Sequence, residues 1–230
     1  MVKKKTKSVL LYNLYPQFNW KNITDTLFTN VAHDHIYVHI NIPKRNPIKA
    51  LQAFFYLKKH VKVKDIYFSI NMKFKGESKG FEVFRKKINF NNYEIASYTH
   101  SKGSSRKRKN TKPIKDWTKL LHYFIIERLD LSQVAFDKGY FLSGVNLKNT
   151  HLNNKDGSPL FPESKFHYSG NFVTINLKKL QKEFLNTSCR PHYYGVEVFW
   201  GTLCDKEKAY SLHQSNVNHY QNNYPESNYK

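Results

Sequence analysis

A cluster of His, Ser, Lys and Gly follows a strand-like run in the first half of the chain. The apolar run 93–98 is followed by Thr99 and then by His100, Ser101, Lys102 and Gly103. In an α/β protein such a junction lies at the carboxyl end of a strand, where ligands usually bind. Lys102 brings a positive charge, Gly103 permits close backbone approach, and the hydroxyl can donate to an anion. The cluster predicts a site for a phosphate-bearing small molecule, with nucleic acid as the rival ligand.

A second candidate for chemistry is a carboxylate in apolar surroundings. Glu197 lies within the segment 193–200, which reads YYGVEVFW. Burial there would raise the pKa of Glu197 and suit it to accept a proton from a hydroxyl group. The alternative is a structural ion pair with a neighbour such as Arg190.

The charge composition favours anionic ligands in general. The chain of 230 residues has a net charge of +21, but its 38 basic residues are 32 Lys and six Arg, beside 23 Asn. Such an excess of Lys and Asn is typical of A/T-rich codons, and Arg, the preferred residue for bidentate phosphate and base contacts, is scarce. The scarcity of Arg therefore argues against nucleic acid as the ligand. The positive surface would still attract nucleotides, acidic glycans or phospholipid headgroups.

Length and cysteine content indicate one domain in a reducing compartment. With 40% hydrophobic residues, the chain can form one core, and the tails 1–7 and 221–230 are expected to be loosely ordered. Cys189 and Cys204 lack metal-site spacing. No apolar run reaches the roughly 20 residues of a membrane span. We expect a cytoplasmic protein that contacts a membrane or an anionic glycan only peripherally.

The hydrophobic pattern alternates between strands and helices and predicts an α/β fold. Period-2 or apolar runs predict strands, and i, i+4 spacing predicts helices between them. The predicted strands are 8–15, 36–42, 61–70, 93–98, 140–145 and 170–175. The predicted helices are 20–32, 48–60, 81–88, 117–131 and 177–185. Short connections between them favour a mostly parallel sheet with helices on both faces.

Several short motifs occur in an order that resembles a known group of enzymes. They are His-Ser-Lys-Gly at 100–103, Trp117 with Tyr-Phe at 123–124, Gly-Val-Asn at 144–146, His-Tyr-Ser-Gly-Asn-Phe at 167–172, and Glu197 before Trp-Gly at 200–201. This order resembles small glycosyltransferases of bacterial surface-polysaccharide clusters and large DNA viruses. Those enzymes usually carry H-[ST]-K-G, W…YF and SGNF motifs in this order. The resemblance implies a GT-A-like fold, a nucleotide-sugar donor and a glycan acceptor bound by the C-terminal half. It also implies a role in surface-polysaccharide or glycoprotein-glycan assembly.

The resemblance, together with the predicted topology, assigns a role to each candidate residue. Glu197 would be the base of an inverting reaction. The donor diphosphate would be bound by His100, Ser101, Lys102, Gly103 and His213. The nucleotide would lie against Tyr12, Asn13 and Asn71, with Gly76 and Glu77 in a donor-side loop. The acceptor would lie against Ser169, Gly170, Asn171 and Trp200. The alternatives are that 169–171 form a turn chosen for its backbone geometry and that Trp200 belongs to the core.

The chain departs from the wider GT-A pattern at the metal site. It contains no Asp-x-Asp, the motif that usually holds a divalent metal on the donor diphosphate. Lys102 can offset diphosphate charge without a metal, whereas His100 could ligate one. The need for Mn²⁺ or Mg²⁺ therefore stays open at this point. Two alternatives also stay open: a basic nucleic-acid-binding protein using the loop 104–115, and an inactive glycosyltransferase-like accessory protein.

Overall fold

The fold is built on a seven-stranded mixed sheet. A computed structural model describes residues 7–75, 77–104, 112–150, 153–154 and 156–230. The strands of the large sheet are β1 (Ser8–Leu14), β2 (His35–Ile42), β3 (Val63–Ile70), β4 (Ile95–His100), β5 (Leu142–Val145), β8 (Val173–Asn176) and β9 (Ala209–His213). A separate two-stranded sheet pairs β6 (Leu147–Asn149) with β7 (Phe166–Tyr168). The order in the large sheet is β3-β2-β1-β4-β8-β5-β9, and every pair is parallel except those made by β8.

Helices cover both faces of this sheet. They are α1 (Trp20–Thr29), α2 (Ile48–Leu57), α3 (Ser78–Lys87), α4 (Lys112–His122), α5 (Leu129–Asp137), α6 (Leu177–Asn186) and α7 (Gly195–Phe199). The apolar side chains of α3, α6 and α7 form one buried cluster, and those of α1, α2 and α4 form another on the opposite face. The predicted α/β class, with a mostly parallel sheet and helices on both faces, is confirmed.

The central strand β1 shows why the two cores exist. All seven of its residues are buried, as expected for a parallel strand covered on both faces. Because successive side chains point to opposite faces, Val9 and Leu11 join one core whereas Leu10, Tyr12 and Leu14 join the other. The polar residue Asn13 thus falls on the face covered by α3.

Two stretches differ from the sequence-based expectation. The predicted helix 117–131 is divided, because a π-helical turn (Tyr123–Glu127) separates α4 from α5. The tail 221–230, expected to be loosely ordered, packs on α4: the Tyr224 N–H donates to Asp116 and Lys119 pairs with Glu226. Of the N-terminal tail, residues 1–6 lie outside the described part of the chain. Among the helices that the structure describes, none has the length and apolar character needed to cross a membrane.

The close approach of α3 to the sheet depends on Gly80. A Cβ atom at this position would lie 2.4 Å from His39 Nδ1 and 2.7 Å from Asn13 Oδ1. Both of these side chains are buried and bonded to each other, with His39 Nδ1 3.1 Å from Asn13 Oδ1. A side chain at residue 80 would therefore have to displace α3 or separate this pair.

We expect Gly80→Ala to destabilise the protein although it improves helix propensity. The propensity gain of about 1 kcal/mol is outweighed by overpacking, so the free energy of unfolding should fall by about 1–3 kcal/mol. Urea denaturation would measure it. Lys79→Ala, at an exposed position of the same helix, is the matched control and should change little. A Gly80→Ala variant more stable than wild type would contradict this packing.

Candidate functional site

A cleft of about 470 Å³ lies where the parallel strands β1 to β4 end. It is lined by Asn13, Tyr15, Asn41, Asn71, Glu77, His100, Ser101, Lys102, Gly103, Ser104, Ile114, Tyr193 and Tyr220. Carboxyl ends of parallel strands are the usual place for ligands in open α/β sheets. The structure therefore brings six of the predicted residues together: Asn13, Asn71, His100, Ser101, Lys102 and Gly103.

The carboxylate of Glu77 organises the floor of this cleft. Its Oε1 lies 2.9 Å from His100 Nδ1. Its Oε2 accepts hydrogen bonds of 2.9 Å from the Tyr98 hydroxyl and from Asn171 Nδ2. Burial alone would raise the pKa of Glu77, but the interactions with His100, Tyr98 and Lys102 outweigh it and lower the pKa. Glu77 is therefore an ionised anchor for three side chains.

His100 is held between two hydrogen-bond acceptors. Its Nδ1 faces the Glu77 carboxylate and its Nε2 lies 3.1 Å from the carbonyl oxygen of Gly170. An imidazole ring with a proton on each nitrogen can donate to both acceptors at once. The protonated form of His100 would therefore add a positive charge at the cleft wall.

Side-chain amides extend the network along the strand ends. Asn41 Nδ2 donates to Asn13 Oδ1 at 2.6 Å, and Asn13 Nδ2 donates to the Tyr98 hydroxyl at 3.1 Å. Asn71 follows β3 at the same edge, where its N–H bonds to the carbonyl of Ile42. Three asparagines thus line the cleft at the ends of three neighbouring strands.

Lys102 lies against an aromatic surface. Its ammonium nitrogen is 3.7 Å from the centroid of Trp117, a strong cation–π geometry. His219 stacks on the same indole at 5.4 Å. Burial, with neighbouring positive charges including Lys102, lowers the pKa of His219 to about 4. His219 is therefore neutral near pH 7, and Lys102 is the cation of this aromatic cluster.

The backbone around Lys102 forms a tight turn. The Ser104 N–H bonds to the Ser101 carbonyl, and Gly103 adopts a φ of +86°, which glycine takes without steric cost. Ser101 Oγ accepts the Tyr15 N–H at 2.8 Å. Ser101 thus fastens the end of β4 to the end of β1, and the turn presents Lys102 to the cleft.

A second hollow, of about 490 Å³, adjoins the first. It is lined by Leu147, Lys148, Asn149, His167, Tyr194, Glu197, Val198 and Lys206. The Gly170 peptide connects the two hollows, because its N–H bonds to Glu197 and its carbonyl faces His100. Gly170 and Asn171 both have positive φ, +95° and +57°.

Glu197 has the environment expected for a base. Burial raises its pKa, and the opposing attraction of Lys102 and His100 does not cancel that rise. The predicted rise is therefore confirmed. Arg190 is not its partner: that guanidinium donates to the Leu160 carbonyl and lies 5.2 Å from the Phe161 ring centroid. Glu197 lines the second hollow rather than the cleft that holds Lys102.

Six predicted residues line neither hollow: Gly170, Asn171 and four others. Tyr12 is fully buried in the opposite core, where its hydroxyl is 3.0 Å from Thr24 Oγ1. His213 bonds to the Tyr224 hydroxyl and stacks on Phe124. Ser169 lies outside both lining sets, with its N–H on the Asn146 carbonyl.

Trp200 is the fourth, and its position explains the neighbouring asparagine. The indole is fully buried, and its N–H donates to Asn171 Oδ1 at 2.9 Å. Asn171 is itself buried and spans from Trp200 to Glu77. Asn171 and Trp200 therefore support the cleft from behind, rather than facing an acceptor as the resemblance implied.

Sequence reasoning gave no individual role to Glu77, Asn41, Tyr193 and Tyr220. Glu77 was placed only in a donor-side loop, and Gly76 lies outside the described residues. The available signal was that Glu77 is one of only 17 acidic residues and comes seven residues after the end of β3, immediately before α3. Asn41 is the last but one residue of β2, and Asn13 is the last but one residue of β1. This shared position in two predicted parallel strands was a signal that the sequence offered for Asn41. Tyr193 and Tyr220 come from distant segments, and only the tertiary structure places them here.

The donor set of the cleft does not fit a divalent cation. Within the described ranges, no group of three or more His, Cys, Asp or Glu side chains is placed to hold a metal ion. The carboxylate lining the cleft is Glu77, whose oxygens already accept from His100, Tyr98 and Asn171. Mg²⁺ and Mn²⁺ prefer several oxygen ligands. Among the described residues that line this cleft, Lys102 carries positive charge, and His100 does so when it is protonated.

We expect Glu77→Gln to lower the free energy of unfolding by about 2 kcal/mol at pH 7, because it leaves His100 without its counter-ion. The lowered pKa of Glu77 means that its contribution is complete above the ordinary glutamate pKa and is lost as pH falls toward the folded-state pKa. The difference between wild type and variant should therefore narrow below about pH 4. Urea denaturation across pH would measure it.

Glu94→Gln is the matched control, since Glu94 pairs with the exposed Lys178 at the opposite end of β4. It should cost much less at pH 7. A pH-independent difference between Glu77→Gln and wild type would contradict the ion-pair assignment.

Comparisons with known proteins give a fold neighbour and no sequence relative. No protein-family model matches the chain, and no curated protein matches it. Among solved structures, the fold is similar to that of the mannosyltransferase PcManGT from Pyrobaculum calidifontis in complex with GDP-Man and Mn²⁺. The TM-score is 0.43 at 8% identity, over 85% of this chain, which spans 51% of that chain. A likeness at this level does not decide an activity, and the chain stands as a mixed α/β protein with a basic cleft at its strand ends.

Proposed function

We propose that this protein is a nucleotide-sugar-dependent glycosyltransferase. The observation that carries the proposal is the pair of basic side chains, Lys102 and His100, at the carboxyl end of β4 beside asparagine amides. A diphosphate matches these basic side chains, and a nucleoside matches the amides and the aromatic rings of Tyr15, Tyr193 and Tyr220. The acceptor glycan, its place in surface-polysaccharide or glycoprotein assembly, and a cytoplasmic location remain predictions.

The reaction would be a displacement at the anomeric carbon of the donor sugar. The bond from that carbon to the diphosphate oxygen breaks, and its electron pair leaves with the diphosphate. Lys102 and His100 stabilise the charge that develops on the leaving group, since they are preorganised and partly shielded from water. An oxocarbenium-like transition state is expected, as in other glycosyl chemistry.

The second hollow would bind the acceptor, with Glu197 as the base. Glu197 would take the proton of the attacking hydroxyl as the new bond forms to the anomeric carbon. In this scheme we place base and leaving group on opposite sides of the sugar, with Glu197 acting from the second hollow and Lys102 from the cleft. This arrangement favours inversion of configuration.

Divalent metal is not needed in this scheme. The cleft's carboxylate is engaged with three donors, and Lys102 and His100 supply the positive charge. We therefore expect nucleoside diphosphates to bind without added metal, in contrast to the usual Asp-x-Asp arrangement.

Nucleotide binding is the first test. UDP, GDP, dTDP and CMP would be added to the protein with EDTA or with Mn²⁺. One class should raise the melting temperature by ~5 °C at saturating concentration, by mass action, and the shift should be similar in EDTA. Lys102→Ala should lose the shift, whereas Lys179→Ala on α6 should keep it. No shift with any nucleotide, beside one with oligonucleotides, would favour nucleic-acid binding instead. A shift seen only with Mn²⁺ would refute the metal-free scheme.

Substitution at the two key residues should separate their roles. Lys102→Ala and Glu197→Gln should each lower turnover by about 10²-fold or more. Glu197→Gln should retain nucleotide binding, because Glu197 lies in the second hollow. Wild-type turnover in both variants would contradict the assignment.

The pH dependence of turnover should report Glu197. A base must be deprotonated, so kcat should fall as pH decreases through its pKa. Because burial raises that pKa, the fall should begin at higher pH than for an exposed glutamate, near 4.3. A kcat–pH profile would measure it. If kcat of the Glu197→Gln variant falls over the same acidic pH range as that of wild type, another group is responsible for the fall.

A further inference from the structure

One surface of the fold exposes an unusual amount of apolar area. The α2–β3 patch consists of Ile48, Leu51 and Phe55 on α2 with Phe68 and Ile70 on β3. Their exposed fractions lie between 43% and 65%. Monomeric soluble proteins rarely expose contiguous apolar patches of this kind without an interaction to explain them.

The patch faces outward from the fold. On α2, Ala50, Ala53 and Leu57 face the core, and the exposed residues occupy the opposite side of the helix by the period of 3.6 residues. Their exposure is thus not a by-product of core packing.

Aromatic contacts make the patch continuous. The ring of Phe54 lies 5.4 Å from that of Phe55 and 5.7 Å from that of Phe68. The solvent side of α2 is therefore joined to the outer strand of the sheet. This strand, β3, is an edge strand with β2 as its neighbour.

The chain segment that carries most of the patch is rich in positive charge. Between Asp34 and Asp65 the chain contains no acidic residue. The same interval contains Lys44, Arg45, Lys49, Lys58, Lys59, Lys62 and Lys64. Lys58 lies 5.7 Å from the Phe54 ring centroid, so charge and apolar surface are in contact.

We propose that the α2–β3 patch docks on the surface of an anionic lipid bilayer. Aromatic and aliphatic side chains enter the boundary between headgroups and acyl chains, while the lysines meet lipid phosphates and carboxylates. The protein is held at the surface by two signals, apolar burial and charge, and neither crosses the membrane.

A second copy of the chain is a less suitable occupant. The edge strand β3 carries Lys64, and Lys62 immediately precedes the strand. Edge lysines of this kind oppose strand-to-strand association. The same lysines favour an anionic surface.

The position of the patch suits the proposed function without depending on it. Asn71, which lines the cleft, follows Ile70 of the patch directly. A docked protein would hold its cleft beside the bilayer, where membrane-linked substrates lie. Docking is measured by lipid binding alone, without nucleotide or turnover. A protein that does not bind lipid can therefore be distinguished from one that is not a glycosyltransferase.

Vesicle flotation tests the proposal with the full chain. Phosphatidylcholine vesicles would be compared with vesicles containing about 30% phosphatidylserine, at about 0.15 M salt. The protein should float with the anionic vesicles and only weakly with the neutral ones. Leu51→Ser with Phe55→Ser, and separately Lys58→Glu with Lys59→Glu, should each reduce the partition coefficient by about tenfold or more.

Matched controls distinguish vesicle binding through the α2–β3 patch from binding through the overall positive charge of the protein. Val134→Ser removes another exposed apolar residue, and Lys179→Glu with Lys182→Glu changes the same charge on α6. Both should bind like wild type, and unchanged melting temperatures would verify folding. Equal losses in the control and patch variants would overturn the proposal, as would absence of binding to anionic vesicles. It would also be overturned by a concentration-dependent dimer that the Leu51→Ser, Phe55→Ser variant abolishes.

Discussion

The carboxylate of Glu77 is the interaction on which the rest of the cleft depends. It joins three segments that are distant in sequence: the end of β4 through Tyr98 and His100, the turn before β8 through Asn171, and the start of α3. Without this carboxylate, Tyr98, His100 and Asn171 would lose their shared acceptor within a half-buried wall. One side chain thus fixes the positions of the three others.

This network also explains why the site is rich in asparagine and poor in acid. Asn41 donates to Asn13, Asn13 donates to the Tyr98 hydroxyl, and Tyr98 donates to Glu77. An amide can serve within such a chain because it both donates and accepts. The amides satisfy buried groups without adding charge. The net positive potential of the cleft therefore comes from Lys102 and His100, with Glu77 used internally.

The sequence was sufficient to predict the sheet, its covering helices and the position of the basic cluster, because those depend on hydrophobic period and on local turn residues. It was not sufficient for side-chain direction. Tyr12 and Asn13 are adjacent, yet the alternation of β1 sends one to the core and the other to the cleft. Trp200 and His213 belong to segments whose placement depends on long-range packing, and neither reaches a hollow. The role of Glu77 depends on partners 21 to 94 residues away along the chain, which no local pattern encodes.

The reversed direction of β8 has a consequence for how the site tolerates change. In the parallel strands β1 to β4, ligand-facing residues come after the strand, so the turns preceding those strands lie at the remote edge. Because β8 runs the other way, the segment before it, with Gly170 and Asn171, reaches the ligand edge, and the segment after it begins α6 at the far side. Lengthening the chain at 169–171 would thus disturb both hollows at once. The same insertion at the junction of β8 and α6 would fall at the edge remote from them.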